Sequence, residues 1–76
     1  MKIHLAGHLN WYDGEKRAWF DLIIEDQTRL IDLLAYLGIP AGEVAIAVLN
    51  GKPVVLEGTR LASDDQLELF PPVSGG

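Results

Sequence analysis

A single helical stripe among alternating strand segments limits the possible folds of this 76-residue chain more than any other feature. Four leucines recur at i, i+3, i+4 and i+7, the spacing of an amphipathic helix: Leu30, Leu33, Leu34 and Leu37. The flanking segments mostly alternate with a period of two, which indicates strands. Because one helix cannot cover both faces of a sheet, we expect one face to pack on the helix and the other to contact water.

The N-terminal segments predict an antiparallel hairpin. The turn signal is Asp13-Gly14, and the second strand lies within residues 16–25. The predicted inward residues are Ile3, Leu5 and Leu9 on the first strand, and Ala18, Phe20, Leu22 and Ile24 on the second.

Aromatic and histidine side chains of this hairpin have structural interpretations. Trp11 and Trp19 are predicted to pair across it, with partner binding as the alternative. His4 and His8 are predicted to be exposed on one strand face. Their separation of about 13 Å is too large for a shared metal ion.

The predicted helix has start and stop signals. Asp26 or Thr28 is the expected N-cap. Gly38 stands where a helix C-terminus favours positive φ, and Pro40 prevents continuation, so the helix spans about three turns.

Further strands follow the helix. Residues 44–49 are apolar at successive positions, so this strand is predicted to be covered on both faces. Asn50-Gly51 predicts a tight turn into an edge strand at 52–56, where Pro53 disfavours a central position. Residues 58–65 form a predicted loop whose Leu61 fills the core, and Asp64-Asp65 is interpreted as a turn rather than a catalytic carboxylate pair.

The last strand covers residues 66–70. Leu67 and Leu69 point inward in this prediction, whereas Gln66, Glu68 and Phe70 point away. The order ββαβ(β)β predicts an α+β fold: a β-grasp domain over residues 1–70, with a mixed four- to five-stranded sheet packed on one short helix. Residues 71–76 are predicted to form a flexible tail without a structural role.

Composition narrows the function classes. A chain of this size has little volume for a deep catalytic cavity, so we expect it to bind or carry rather than catalyse. The absence of cysteine excludes disulfides and thiol chemistry from its own side chains. A formal net charge of −5 without a basic cluster disfavours nucleic acid and anionic membranes as partners. With no signal or spanning segment in the sequence, we expect a cytoplasmic protein, and no metal site or bound cofactor is predicted.

The sequence ends in Phe70-Pro71-Pro72-Val73-Ser74-Gly75-Gly76. Two glycines without Cβ atoms can enter a channel too narrow for side chains. They would deliver the Gly76 carboxylate, which is ionised at neutral pH and can be activated as an acyl group. A frayed chain end is the alternative interpretation.

The chain resembles the ubiquitin-like sulfur carriers, which include the molybdopterin synthase small subunit and the thiazole-synthesis carrier. The resemblance rests on three stretches: 32–40 in the helix, 48–52 at the hairpin, and 65–76 at the end. The diproline followed by diglycine is more similar to the molybdopterin synthase subunit. The chain departs from that subunit at Ala6-Gly7, where bulky aromatics are usual, and at Thr28, which stands one place early.

The resemblance implies a mechanism. An E1-like enzyme would adenylate the Gly76 carboxylate with ATP, and the adenylate would be converted to a thiocarboxylate. The molybdopterin synthase large subunit, or another sulfur-accepting enzyme, would then take the sulfur. The chain itself would be a non-catalytic subunit and co-substrate.

The tail residues have separable expected roles. Phe70 would be an aromatic anchor at the partner's mouth. Pro71 and Pro72 favour an extended conformation, which lowers the entropy lost on threading. The six residues from Pro71 span at most about 20 Å. Val73, Ser74 and Gly75 would line the partner's channel.

Three alternatives stay open. The first is a carrier for thiamin thiazole or tRNA thiolation. The second is a ubiquitin-like modifier that forms isopeptides through Gly76. The third is a β-grasp interaction module whose terminal glycines are incidental.

Overall fold

Residues 1–73 are described by a computed structural model of the chain. Their strands are β1 (Lys2–Leu5), β2 (Trp19–Asp21), β3 (Thr28–Arg29), β4 (Ile46–Leu49), β5 (Lys52–Val54), β6 (Arg60–Leu61) and β7 (Gln66–Phe70). The α-helix α1 spans Leu30–Leu37, and two 3-10 helices span Gly7–Tyr12 and Ala41–Glu43.

Five strands form one mixed sheet in the order β2-β1-β7-β4-β5. β1 and β7 run parallel, and the other neighbours are antiparallel. β3 and β6 pair separately in a two-stranded sheet. The predicted α+β, β-grasp architecture is confirmed.

The core lies between one sheet face and α1. Leu67 and Leu69 of β7 have no exposed surface, and neither has Ile3 of β1. Burial of each such side chain contributes about 2–3 kcal/mol. On the helix, Leu30, Leu33 and Leu34 are buried, while Leu37 packs against the core in part. The helical stripe therefore predicted the correct buried face.

The connection between β1 and β2 differs from the predicted tight hairpin. The two strands do pair antiparallel, but β1 ends at Leu5 and the chain enters a 3-10 helix at Gly7, whose φ is +56°. Leu9 reaches the core from this helix rather than from a strand. A turn does form at Asp13-Gly14, since the Lys16 N–H donates to the Asp13 carbonyl at 2.9 Å. It lies within a long loop, however, so the prediction that it joins the two strands as a tight hairpin is wrong.

The interpretations of the tryptophans and histidines are also corrected. The predicted pairing of Trp19 with Trp11 is wrong. The ring of Trp19 stacks on His4, because the register of β1 and β2 places these two residues opposite each other. Trp11 lies beneath Lys16, whose Nζ is 5.0 Å from the ring centre. His4 is half-buried, and His8 is exposed but belongs to the 3-10 helix.

The helix begins later than expected. Neither Asp26 nor Thr28 is its N-cap, because Thr28 and Arg29 pair as β3 with β6 and keep the chain extended to Arg29. The helix has eight residues, slightly more than two turns. Its predicted end is confirmed, with Gly38 at φ +76°.

The C-terminal half follows its turn signals. Asn50 and Gly51 both have positive φ, 51° and 85°, as a two-residue β4–β5 turn requires. β5 is an edge strand as predicted. β4 is not covered on both faces, since α1 lies on one face only and Ile46 is 52% exposed on the other.

The loop before β7 contains more structure than predicted. Leu61 is buried as expected but belongs to β6. Asp65 closes the predicted turn, because its carboxylate accepts hydrogen bonds from the Ala62 N–H and the Asn50 side-chain amide.

The β1–β2 loop is held by a carboxylate that provides a pH test. Asp13 Oδ2 accepts hydrogen bonds from the N–H and Nε–H of Arg17 at 2.8 and 2.9 Å. These hydrogen bonds lower the pKa of Asp13 from 3.8 to about 2. A lowered folded-state pKa stabilises the fold above the unfolded value, and this contribution is lost as pH falls from about 3.8 through 2.

We therefore expect an NMR titration of the Asp13 carboxyl carbon to have a midpoint near pH 2. In the Arg17→Gln variant the midpoint should return toward 3.8. An unchanged midpoint in that variant would show that Arg17 is not the cause.

Candidate functional site

The end of β7 determines which side chains surround the start of the tail. Leu67 and Leu69 point into the core, so Glu68 and Phe70 lie on the outer face of the sheet, away from α1. Phe70 is half-buried there, in the orientation that the alternation predicts. Its carbonyl accepts a hydrogen bond from Ala45 N–H at 2.8 Å, which ties the strand's last residue to the chain just before β4.

Phe70 belongs to a group of side chains that we call the outer-face cluster: His4, Trp19, Ile46 and Phe70. The His4 ring stacks on Trp19 with ring centres 4.3 Å apart, and it meets Phe70 edge to face at 6.1 Å. Ile46 is the register partner of Phe70 on β4. Trp19 and Ile46 are 46% and 52% exposed, so the cluster presents apolar surface beside the tail.

The carboxylate of Glu68 lies beside His4 in this cluster. Glu68 Oε1 is 3.4 Å from His4 Nδ1, and both side chains are about three-quarters buried. Nδ1 itself has no hydrogen-bond partner in the described part of the chain. The imidazole is thus held chiefly by its two aromatic neighbours.

The chain leaves the body beside Gly7. A Cβ atom on Gly7 would lie 2.8 Å from Cγ of Pro71, so only glycine accommodates the proline ring at this distance. Pro71 is half-buried, Pro72 is exposed, and Val73 is 95% exposed. Ser74, Gly75 and Gly76, which the sequence predicted as partner-binding and reactive residues, lie outside the described residues.

The contact between Gly7 and Pro71 was not predicted. The sequence assigned no structural role to residue 71, yet Pro71 packs on the start of the first 3-10 helix. The signal in the sequence was the small residue pair Ala6-Gly7, one of the two departures from the molybdopterin synthase subunit that the chain resembles. The absence of a Cβ at residue 7 makes room for the ring.

Other classes of site find no support within residues 1–73. No three His, Cys, Asp or Glu residues among them are grouped so that they could hold a metal ion. Within the same residues, no helix has the length and apolar character needed to cross a bilayer.

Comparisons with known proteins agree with this geometry. The model of the ThiS family matches residues 12–76, which include α1, the β4–β5 hairpin, β7 and the tail. No curated protein matches the chain significantly. Members of this family are small, non-catalytic, ubiquitin-like carriers that work with E1-like enzymes and sulfur-accepting enzymes. The chain belongs to the ThiS family and is a ubiquitin-like sulfur-carrier protein.

Proposed function

We propose that this chain carries sulfur as a thiocarboxylate on Gly76 and donates it for molybdopterin synthesis. The observation that carries the proposal is the exit of the chain from β7. Pro71 rests on Gly7, and two residues later Val73 is 95% exposed. At Val73 the chain is therefore exposed, outside the core, and the residues that follow it in sequence are those the proposal assigns to a partner's channel.

The chemistry needs an activation step because an anionic carboxylate is a poor electrophile. A Gly76 carboxylate oxygen attacks the α-phosphorus of ATP, and the bond from that phosphorus to pyrophosphate breaks. The resulting acyl adenylate has AMP as a leaving group. A hydrosulfide ion, HS⁻, attacks the acyl carbon, the bond from that carbon to the AMP oxygen breaks, and loss of the sulfur-bound proton leaves the thiocarboxylate. ATP and the sulfur nucleophile are supplied by the activating system.

The residues before Gly76 bind the partner and guide the tail. Phe70 and the other members of the outer-face cluster are buried when the partner binds this face of the sheet beside the entrance of its channel. Pro71 and Pro72 keep the next segment extended. Val73, Ser74 and Gly75 complete a reach of about 20 Å from the body, so the carboxyl group enters a channel while the body stays outside.

The choice of sulfur acceptor rests on the diproline of the tail. Thiocarboxylated carrier is mixed in parallel with a molybdopterin synthase large subunit plus its pterin precursor, with thiazole synthase, and with a tRNA-thiolating enzyme. We expect the thiocarboxylate to be consumed by the first. If thiazole synthase or the tRNA-thiolating enzyme consumed the thiocarboxylate preferentially, that pathway would be the function instead of molybdopterin synthesis. If only isopeptide-linked conjugates formed, the chain would be a protein modifier.

Removal of Gly76 separates the reactive group from the fold. The truncated chain should keep the circular dichroism and urea-unfolding midpoint of the full chain, because the buried core described within residues 1–73 is left unchanged. It should release no pyrophosphate from ATP with the activating enzyme. Retained pyrophosphate release would contradict the role of Gly76, and a lost fold would show that the tail is structural.

The Phe70→Ala variant tests the anchor. We expect affinity for the activating enzyme to fall about tenfold or more, as for a central aromatic contact. Tyr36→Ala is the matched control, since Tyr36 is a 75% exposed aromatic residue on α1, on the opposite side of the sheet. Calorimetric titration measures both. Equal effects of the two variants on binding would show that Phe70 is not a specific anchor. A loss of stability in Phe70→Ala larger than its loss of binding would show that its role is structural.

The Gly7→Ala variant tests the tail's exit. Alanine must adopt φ near +56° with its Cβ 2.8 Å from Pro71 Cγ. We expect a destabilisation of about 1–2 kcal/mol, together with shifted Pro71 resonances and slower thiocarboxylate formation. Gly14→Ala is the control because no atom lies within 4 Å of its Cβ position. Indistinguishable variants would show that Gly7 does not set the path of the tail.

A further inference from the structure

β2 is an edge strand of the five-stranded sheet, so the backbone N–H and C=O groups on its outer side have no neighbouring strand to pair with. Met1 and Leu22 exchange two hydrogen bonds of 2.8 Å, and Leu5 N–H donates to Ala18 at 2.7 Å. Residues 18, 20 and 22 therefore face β1. In an antiparallel pair the intervening residues face the other way, so the N–H and C=O groups of Trp19, Asp21 and Ile23 point to the open edge.

An apolar groove lies next to this edge. It has a volume of about 290 Å³ and separates residues 22–24 from α1. Leu22, Ile24 and Leu33 line it, and Tyr36 borders it from the helix. Ile23 is 99% exposed and Tyr36 is 75% exposed, so large apolar surface surrounds a row of open backbone groups.

We propose that an extended segment of a partner protein, with apolar and basic residues in alternation, adds to β2 as a further strand. Its backbone pairs with Trp19, Asp21 and Ile23. Every second side chain, apolar, enters the groove, while the basic side chains between them face the outer side of the sheet. Strand addition of this kind takes affinity from main-chain hydrogen bonds and specificity from alternate side-chain pockets.

The acidic side chains at this edge favour a partner segment with basic residues. Asp21 and Glu25 are exposed at the edge, and neither forms an ion pair with another described residue. Asp32 on the groove wall is paired with Arg29 at 2.9 Å. With a formal net charge of −5 on the whole chain, lysine or arginine side chains between the groove-facing residues would find opposite charge.

The same charges disfavour a second copy of this chain as the occupant. A twofold antiparallel pairing centred on residue 21 or 23 would place Asp21 opposite Asp21 or Glu25 of the other copy, and only a pairing centred on residue 22 would place it opposite Ile23. Like charges directly opposite each other destabilise strand pairing. A basic segment of a different protein avoids this repulsion.

The edge site is separate from the tail. Asp21 pairs with Lys2 at the beginning of β1, whereas Phe70 follows Leu69, which pairs with Leu5 at the end of β1. The centre of the edge site at Asp21 therefore lies toward the opposite end of the sheet from the tail. Trp19 belongs to both regions, since its backbone faces the open edge while its ring stacks on His4 in the outer-face cluster. Occupation of the β2 edge leaves the tail accessible, and the proposal does not depend on the acceptor of the sulfur.

The experiment is an NMR titration of the full chain with the peptide acetyl-Lys-Ile-Lys-Val-Lys-Ile-Lys-amide. We expect the largest amide shifts at Trp19, Asp21 and Ile23, with side-chain shifts at Leu33 and Tyr36. One control peptide has glutamate in place of each lysine. A second, acetyl-Lys-Lys-Ile-Val-Ile-Lys-Lys-amide, has the same composition without the alternation. Both controls should bind at least about tenfold more weakly.

Two substitutions at one position separate backbone pairing from charge. Asp21→Asn removes the charge and keeps the outward N–H, so binding should weaken modestly and lose part of its salt dependence. Asp21→Pro also removes the N–H, at an edge position where proline breaks no bond to β1, and should weaken binding about tenfold beyond Asp21→Asn. Tyr36→Ala should weaken binding as well, whereas Trp11→Ala, which truncates a 67% exposed aromatic elsewhere, should not.

Several results would overturn the proposal. Equal binding by Asp21→Asn and Asp21→Pro would reduce the interaction to charge attraction. Shifts confined to Ile46 and Phe70 would place the peptide on the outer face instead. Concentration-dependent dimers with shifts at residues 19–23, in the absence of peptide, would make a second copy the occupant. The variants' amide spectra give a check on folding before each titration.

Discussion

The pairing of β7 with both β1 and β4 fixes the buried face of the sheet and the point at which the chain leaves it. The strand lies in the middle of the sheet, and its two leucines, Leu67 and Leu69, are fully buried against α1. A shift of one residue in this register would expose both leucines and bury Glu68 and Phe70. Burial of the two leucines therefore determines which side chains lie beside the start of the tail. It also determines where the chain leaves the sheet.

Much of this arrangement could be predicted because it depends on local patterns. The leucine spacing gave the buried helix face, the Asn50-Gly51 pair gave the β4–β5 turn, and the alternation of β7 gave the orientation of Phe70. Other features depend on distant contacts. A buried leucine at position 9 fits both a continued strand and a 3-10 helix, so the spacing of apolar residues could not distinguish these two structures. β3 and β6 have two residues each, too few to show a period.

The candidate site was predicted from the tail sequence, but its surroundings were not. The stacking of His4 between Trp19 and Phe70 requires the register of three strands, which no short-range signal contains. The contact of Pro71 with Gly7 joins the two ends of the domain. Together they determine where the chain leaves the body of this carrier, at Pro71. The opposite end of the sheet, at the edge of β2, is left for a different kind of contact.

We propose that the sulfur is carried on the Gly76 carboxyl group, and intact-mass analysis of the protein isolated from its native cells tests this proposal. We expect a species heavier by the exchange of one oxygen for one sulfur, with fragmentation placing the change at Gly76. In cells with an intact activating enzyme, the absence of that species, or a sulfur placed elsewhere in the chain, would contradict it.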